Sequence, residues 1–446
     1  MVAATAKRPQ VGHLRAMRQN MIGYLETLAQ QGDFLKIPLG LSTGYYLNHP
    51  DDIREVLVRQ AQFFHKPFTV KYAAKGLFGE NLFTADGRLW EVVRQTLQPA
   101  FQSQQIKDHA EIMIQATTEM VKQWQSGQTL EMCQAMMDLT MGITSQAFFG
   151  VDLRNQKAAR GLVRFIELFN QRISGLPVPG WLPLPSTLEM KRHIAETKQL
   201  LTPLIAERRN AKTAYTDILA MLVNAQAADT TSLITEHQVR NEVMNLFAAG
   251  YEVTANSLAF ALYLIHQHPA IEAQLRSEIN QVLGHRLITF DDLAQMPYLD
   301  CVLKESMRLL PVTTVFARQS IQNVSWADRS ISKNALVLIS PWTVHRRADI
   351  FADPLIFNPD RFASSDRSQI HKFAYLPFSG GSRICIGQAF AMTQMRINLA
   401  TILQHYRLST APDYKLEPYF SFNTRPKDGL PMQIERRSKM IVYSVC

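Results

Sequence analysis

The sequence predicts a mainly α-helical protein with small β-sheets. Helical periodicity recurs along most of the chain, whereas segments rich in β-formers are short and few. The 446 residues are 46% apolar and 19% charged, and no repeat, low-complexity tract or linker divides them. Such a chain can bury a large core, which excludes disordered proteins and small disulfide scaffolds. We therefore expect a single domain over residues 1–446.

Short strands are predicted near the N terminus and in the C-terminal third. Residues 34–37 and 44–46 favour β-structure and are separated by turn residues, which indicates a small sheet. Residues 336–339 form a third segment of this kind.

The longest predicted helix follows Thr235 and ends at His268. Thr235 and Gln238 form a candidate capping box at its start. Its centre, residues 248–254, places Gly250 and Glu252 among apolar neighbours. Glycine weakens a helix by about 1 kcal/mol relative to alanine, and a buried carboxylate is costly unless it is paired. The break indicates a functional site, the alternative being a tolerated kink with Glu252 turned to solvent. Other helices are predicted at 108–125, 161–171, 190–206, 270–282 and 300–310, and just after Cys385.

Charge and cysteine content limit the partners, the metal sites and the cellular compartment that the chain can have. The 47 Lys and Arg against 38 Asp and Glu give a formal charge of +9, which admits nucleic acid, an anionic membrane or an acidic protein as partner. Four scattered cysteines suit neither a disulfide framework nor a paired zinc site. The first 20 residues hold no signal-peptide apolar segment, and polar residues interrupt the best candidate span, 243–265. We expect a soluble, cytoplasmic protein.

The strongest signal is the segment from Phe378 to Gly387, which reads FSGGSRICIG. Its glycines let a large ligand approach the backbone, and Cys385 is predicted at the first turn of a helix, where the thiol pKa is lowered. Arg383 adds a charge suited to a carboxylate. A buried, inert cysteine would explain neither the glycines nor the arginine. A thiolate, an adjacent arginine and a backbone kept flat by glycines together suit haem.

This segment resembles the cysteine signature of the cytochrome P450 family, FxxGxRxCxG. The matching residues are Phe378, Gly381, Arg383, Cys385 and Gly387. Further family motifs occur in the family's order, so the resemblance covers nearly the whole chain. They are WxxxR at Trp90 and Arg94, ExxR at Glu305 and Arg308, and a PERF-type segment at residues 359–362.

The resemblance implies the cytochrome P450 fold, with haem b between the long central helix and the helix after the cysteine loop. Cys385 would be the metal ligand, as an axial thiolate that favours O–O cleavage. Glu305, Arg308 and Arg361 would lock the core behind the haem. The implied cofactor contacts are Trp90, Arg94, Arg318, Phe378, Gly381, Arg383, Cys385 and Gly387. Three of these arginines account in part for the charge of +9, and we expect no nucleic-acid partner.

The long helix would cross the oxygen face of the haem. Ala249 and Gly250 would leave room for O2, and Glu252 would lie on a proton route. The family pattern reads AGxDT or AGxET, but Val253 stands here in the place of the threonine and Thr254 follows one step later. That step turns the side chain by about 100°, so Thr254 does not simply replace the hydroxyl. The predicted catalytic residues are Ala249, Gly250, Glu252 and Thr254, and proton delivery is left to water, to the substrate's own hydroxyl or to Glu252.

The resemblance also places the substrate pocket and the entrance to it. The pocket residues are Phe83, Ala249, Val253, Thr313, Val315 and Phe422, which are mostly apolar and suit an apolar or aromatic small molecule. The proline-rich loop 176–185 would form an entrance lip.

Three functions follow from the resemblance. The first is a monooxygenase of specialised metabolism, a monomer that hydroxylates or epoxidises its substrate with electrons from a separate ferredoxin or flavodoxin. The second, suggested by Val253, couples aromatic units such as phenols or indoles through C–C, C–N or C–O bonds. The third is a haem-binding sensor without turnover.

Overall fold

The fold is taken from a computed structural model. It describes residues 4–7, 12–39, 42–75, 79–154, 161, 163–165, 168–169, 182–210, 215, 217–229, 233–363, 370–420 and 423–437. Phe422, most of the proline-rich loop and much of the predicted helix at 161–171 lie outside these residues.

Helices make up most of the described chain, as the sequence predicts. They are α1 (His13–Gln19), α2 (Met21–Gln31), α3 (Pro50–Arg54), α4 (Phe68–Lys75), α5 (Gly87–Leu97), α6 (Ser103–Gln123), α7 (Met132–Phe149), α8 (Pro185–Asn210), α9 (Ile218–Ala228), α10 (Glu236–Gln267), α11 (Pro269–Leu283), α12 (Pro297–Leu309), α13 (Pro341–Val344) and α14 (Gln388–His405).

The strands are short and form small sheets. They are β1 (Ala4–Thr5), β2 (Phe34–Leu39), β3 (Ser42–Leu47), β4 (Phe64–His65), β5 (Thr129–Glu131), β6 (Phe316–Ser320), β7 (Val324–Trp326), β8 (Arg329–Ile331), β9 (Leu336–Ile339), β10 (Tyr406–Ser409), β11 (Pro418–Phe420), β12 (Thr424–Pro426) and β13 (Pro431–Arg436).

The largest sheet among the described residues has six strands in the order β1-β2-β3-β9-β6-β4. Strand β9 pairs in parallel with β3 and antiparallel with β6, which joins the N-terminal strands to the C-terminal third of the chain. The predicted strands at 34–37, 44–46 and 336–339 are thus confirmed, and they belong to one sheet. A three-stranded sheet, β10-β13-β5, and the pairs β11-β12 and β7-β8 complete the described strands.

Helix α10 runs through the centre of the main apolar core. Its 32 residues would span about 48 Å, and most of them are buried, because the helix is enclosed by other helices, above all α7. The Thr235 side chain accepts a hydrogen bond from the Gln238 N–H (3.1 Å), which confirms the predicted cap. The Gln238 side chain does not complete a capping box, since it donates to Glu242 instead.

No helix among the described residues is long and apolar enough to cross a membrane. Polar side chains interrupt α10, the longest helix, where the sequence places them.

Candidate active site

The cysteine loop, residues 378–387, packs closely against Leu57, which belongs to a buried apolar cluster that includes residues of β3, β4 and β9. Gly381 has φ +72°, and a side chain there would bring its Cβ within 1.9 Å of the Leu57 carbonyl oxygen. Only glycine fits both conditions. The Cys385 N–H donates to the Phe378 carbonyl (3.0 Å), so the two ends of the signature are held together.

Cys385 does not occupy the first turn of a helix. Helix α14 begins at Gln388, and the prediction that Cys385 lies at a helix start is therefore wrong. The predicted lowering of its pKa is also wrong. Burial raises the pKa of the Cys385 thiol, and the Gly387 N–H and the charge of Arg94 act in the opposite direction.

The Cys385 thiol is accessible to a ligand. The surrounding chain desolvates the sulfur, yet the side chain keeps exposed surface. Desolvation and exposed surface together are expected of a thiol that lines a concave site. Such a thiol is available to a ligand and is screened from bulk solvent.

Both predicted residues of α5 contact the cysteine loop. Arg94 Nη1 donates to the Ile384 carbonyl (2.9 Å), directly before Cys385. The Arg383 guanidinium lies over the Trp90 ring, 4.5 Å from its centroid. The WxxxR spacing thus brings two side chains of α5 to the loop, because positions four apart share a helix face.

A cluster of cations lies beside the loop. Arg318 of β6 is buried, and burial together with the charge of Arg383 lowers its pKa to about 10. The pKa of Lys66 is lowered well below its ordinary value by burial and by the charges of Arg318 and Arg383, against which Asp86 acts. Asp86 also pairs with Arg383 and with Lys71 (2.5 Å). Buried positive charge therefore exceeds what this carboxylate balances.

Lys66 is a site residue that the sequence reasoning missed. Like Cys385, it keeps accessible surface although the surrounding chain desolvates it. The available signal was a lysine between the apolar pair Phe63-Phe64 and Pro67-Phe68, where a charge needs a partner.

These groups fit haem b. The sulfur of Cys385 can reach an iron, and the crowded cations Lys66, Arg318 and Arg383 suit two carboxylates, since bound anions would relieve their mutual repulsion. A Cβ on Gly387 would meet only Phe101, at 3.8 Å, so the backbone two residues after the sulfur is open.

Helix α10 divides the predicted pair Ala249 and Gly250 between two faces. Ala249 is exposed and Val253, one turn later, is half-buried, so both lie on the open side. A Cβ on Gly250 would lie 2.6 Å from Thr144 Cγ2 of α7. The missing side chain of Gly250 permits the close contact of α10 with α7, and the assignment of this glycine to an oxygen groove stays a prediction.

Glu252 and Thr254 are buried in α10. Asn423 Nδ2 donates to Glu252 Oε2 (3.4 Å), which connects the carboxylate to the turn between β11 and β12. The Thr254 hydroxyl donates to the Gly250 carbonyl of its own helix (3.2 Å). The hydroxyl one step after Val253 is therefore engaged by the helix backbone.

The other predicted pocket residues that the structure describes lie on two segments. Thr313 and Val315 are half-buried, and Val315 packs on the apolar cluster that β2 and β3 form with α2. Between them the Thr314 hydroxyl bonds that of Thr424, so residues 312–315 meet the β11–β12 turn that also reaches Glu252. Phe83 is half-buried, with Lys66 Nζ 4.5 Å from the centroid of its ring.

A buried network of ion pairs connects α12 to the chain that leads into the cysteine loop. Glu305 binds Arg308 through two contacts of 2.7 Å and Arg361 through one of 3.3 Å. Arg308 also donates to the His345 carbonyl (2.8 Å), and His345 Nε2 accepts the Leu376 N–H (2.7 Å). Burial lowers the pKa of His345 to about 3, which keeps it neutral and able to accept. The network thus reaches the stretch of chain that leads into the signature.

Comparison with known proteins agrees with this geometry. Cyclooctatin synthase of Streptomyces melanosporofaciens is 30% identical over 92% of this chain and 90% of its own. Pentalenene oxygenase of Streptomyces avermitilis is 27% identical, with 94% of each chain covered. The cytochrome P450DA heme domain, a crystal structure, superposes with a TM-score of 0.88 at 25% identity over 98% of both chains.

The family model described as Cytochrome P450 matches residues 5–433. That span includes α5, α10, the ion network and the cysteine loop described above. The chain therefore belongs to the cytochrome P450 family, as an oxidoreductase enzyme that carries haem b with a cysteine thiolate as axial ligand.

Proposed function

We propose that Cys385 supplies the axial thiolate and that the enzyme inserts one oxygen atom into a small apolar molecule. The observation that carries this proposal is the Cys385 thiol, which is accessible although the surrounding chain desolvates it, next to a cluster of cations. When bound, the haem supplies an iron centre at which O2, two electrons and two protons yield one oxygen atom for the substrate and one molecule of water.

The cations and α5 hold the cofactor in this proposal. Lys66, Arg318 and Arg383 bind the two propionates, and the Trp90 ring supports the Arg383 guanidinium. Arg94 holds the Ile384 carbonyl and so fixes the backbone next to the sulfur. Its charge also favours the thiolate over the thiol.

Protons reach the site through Glu252 and water in this proposal. The Glu252 carboxyl is buried in α10 and is oriented by Asn423. Val253 offers no hydroxyl, and that of Thr254 donates to the Gly250 carbonyl. Glu252 is then the side chain of this stretch that can hold a proton and pass it to ordered water.

The substrate we propose is an apolar olefin of specialised metabolism. Ala249 and Val253 present an apolar face of α10, and Phe83 adds an aromatic ring. One relative is named for cyclooctat-9-en-7-ol and another for pentalenene, which are olefins by their names. Electrons would come from a ferredoxin or flavodoxin.

The test begins with Cys385→Ser. We expect the reduced carbon monoxide complex to lose its thiolate-type spectrum, whereas Cys301→Ser, at a buried cysteine of α12, keeps it. Apolar olefins and aromatic compounds are then screened by Soret shift, and products of the compounds that bind are weighed. A gain of one oxygen atom supports the proposal. An unchanged spectrum in Cys385→Ser would remove the assignment of the ligand.

Oxidative coupling of aromatic units is a second candidate, and Val253 favours it. Val253 offers no hydroxyl where the family pattern has a threonine, and this departure suggests the alternative. Coupling would use O2, two electrons and two protons to remove two hydrogens from the aromatic units, with two molecules of water as the other product. Product mass separates the two reactions, because coupling removes two hydrogens per bond formed.

A further inference from the structure

The first half of α10 carries a buried polar stripe. Gln238, Asn241, Glu242 and Asn245 are all buried, and their spacing places them on one helix face. Buried polar side chains are costly unless they are hydrogen-bonded, and a buried carboxylate is the most costly of them. The stripe therefore needs partners on a neighbouring segment.

That segment is the stretch Gly79–Ala85, which precedes α5. It is folded on itself: the Asn81 side chain accepts the Phe83 N–H (3.0 Å), and the Asn81 carbonyl accepts the N–H groups of Thr84 (2.9 Å) and Ala85 (2.7 Å). The Thr84 hydroxyl in turn accepts the Asn81 N–H (3.0 Å). The segment can therefore be displaced as a unit and does not need α10 to form its own turn.

Three side chains of the stripe hold this segment against α10. Glu242 Oε2 accepts the Leu82 N–H (3.0 Å), and Oε1 accepts the Gln238 amide (2.6 Å). Gln238 Nε2 and Asn241 Nδ2 both donate to the Glu80 carbonyl, each at 3.1 Å.

The backbone at Gly79 also lies directly against Asn241 of α10. Its φ is +72°, and a Cβ there would lie 2.3 Å from Asn241 Nδ2. The segment therefore lies so close to α10 at this position that a residue with a side chain would not fit.

The other side of the segment reaches the cofactor groups. The Phe83 ring lies against Lys66, and the Ala85 carbonyl accepts a hydrogen bond from Arg383 Nη1 (2.9 Å). The segment thus stands between the polar stripe of α10 and the cations beside Cys385. A shift of Leu82 away from Glu242 would move the neighbouring Phe83 with it.

We propose that Glu242 is a positioning residue, which holds Leu82 and thereby fixes Phe83 so that the ring limits the size of the molecules that enter the site. The inference rests on the proposed function, since it concerns access to the same haem. Glu242 acts through the backbone and does not touch the ligand.

The burial of Glu242 supports this role. Burial raises the pKa of Glu242 to about 7, while the Leu82 N–H and the side chains of Gln238 and Asn245 favour the carboxylate. A carboxyl group that serves packing alone is readily replaced by an apolar one. Here its two oxygens face two donors, which an amide cannot satisfy together.

The test compares Glu242→Gln with Glu236→Gln, both in the haem-loaded protein. Glu236 lies on the same helix, keeps 42% of its side chain exposed, and pairs with Arg240 and Arg209 at the surface. The probes are imidazole and 4-phenylimidazole, whose binding to the iron is followed by the Soret shift. Amide hydrogen exchange of Leu82 and Phe83 is the second readout.

Measured at a pH above 7, where the Glu242 carboxyl is mainly ionised, Glu242→Gln should speed exchange of the Leu82 amide by about tenfold or more, because a hydrogen bond to a charged acceptor is lost. The affinity ratio of 4-phenylimidazole to imidazole should change by about tenfold, the scale of a change of one or two carbons in an apolar pocket. Glu236→Gln should change neither quantity.

An unchanged affinity ratio together with faster exchange would overturn the proposal, since Phe83 would then move without effect. Unchanged exchange would overturn it as well. If Glu242→Gln does not load haem, Asn241→Leu, which removes one bond to the Glu80 carbonyl, is measured by the same criteria. The proposed function fails on different results, namely an unchanged thiolate spectrum in Cys385→Ser or a product of the unaltered enzyme that gains no oxygen atom.

Discussion

Replacing Gly250 by alanine tests whether this glycine serves helix packing or oxygen binding. The new Cβ would lie 2.6 Å from Thr144 Cγ2 and 3.2 Å from Thr144 Oγ1, on the opposite helix α7. Distances of this size require the two helices to move apart. If instead the glycine is needed for O2, the same substitution would impair turnover and leave stability unchanged.

The magnitude follows from opposing effects. Overpacking of a well-packed core costs about 1 to 3 kcal/mol, and alanine returns about 1 kcal/mol of helix propensity. We therefore expect Gly250→Ala to lower the free energy of unfolding by up to about 2 kcal/mol. Thr144→Ala should be nearly neutral: it loses a buried methyl group worth about 0.8 kcal/mol, but it also removes a buried hydroxyl that has no hydrogen-bond partner among the described residues.

The double variant decides between the two explanations. With Thr144→Ala present the overpacking is relieved, so Gly250→Ala should raise the free energy of unfolding by the helix propensity of about 1 kcal/mol. The difference between the two backgrounds gives a coupling energy of about 1 to 3 kcal/mol in a double-mutant cycle. The assay is urea unfolding of the haem-loaded protein, followed by circular dichroism and by the Soret band. Strictly additive effects of the two substitutions would refute the packing explanation.

Three other residues give predictions that can be measured directly. Lys66→Met should speed transfer of haem to apomyoglobin by about tenfold or more, because a charged contact to a propionate is lost; Lys107→Met, at an exposed lysine paired with Asp291, is the control, and equal rates would exclude Lys66 from the site. The pKa of His345 is about 3 in the folded chain and near 6.5 when unfolded, so the folded state binds fewer protons and its stability falls as pH drops below about 6.5, by about 1.4 kcal/mol per pH unit. His345→Gln should lack this part of the pH dependence, and an identical slope in both proteins would contradict the burial argument. Val253→Thr should change the fraction of electrons lost as peroxide; an unchanged fraction and product would place this position outside the proton path.

The sequence predicts best where chemistry requires particular residues close together in the chain. The cysteine signature, the spacing of Trp90 and Arg94, and the pair Glu305 and Arg308 each lie within one turn or one loop. The bond between Arg308 and Glu305 follows from helix spacing alone. The spacing of Trp90 and Arg94 predicts one helix face, whereas the Ile384 carbonyl that Arg94 binds lies 290 residues further along the chain. The long helix and the strand at 336–339 were predictable for the same reason, because periodicity and capping are local properties.

The errors and the unforeseen contacts arise where distant segments decide the outcome. The pKa of Cys385 depends on desolvation by surrounding chain, which outweighs the Gly387 N–H and Arg94. Gly250 faces Thr144, more than a hundred residues earlier in the chain, and no local pattern identifies that neighbour. Lys66 joins the site only because β4 brings it beside Arg318 and Arg383.

The polar stripe of α10 is a non-local feature that the sequence discloses in part. Positions 238, 241, 242 and 245 repeat at helical spacing, so the sequence indicates one polar helix face, and the structure shows that this face is buried. The spacing does not identify the partner, since the Leu82 N–H and the Glu80 carbonyl are backbone groups that nearly every residue offers equally. A side chain that recognises backbone leaves a signal on its own segment alone. For that reason Glu242, which acts on the site through the Leu82 backbone, is found from the structure.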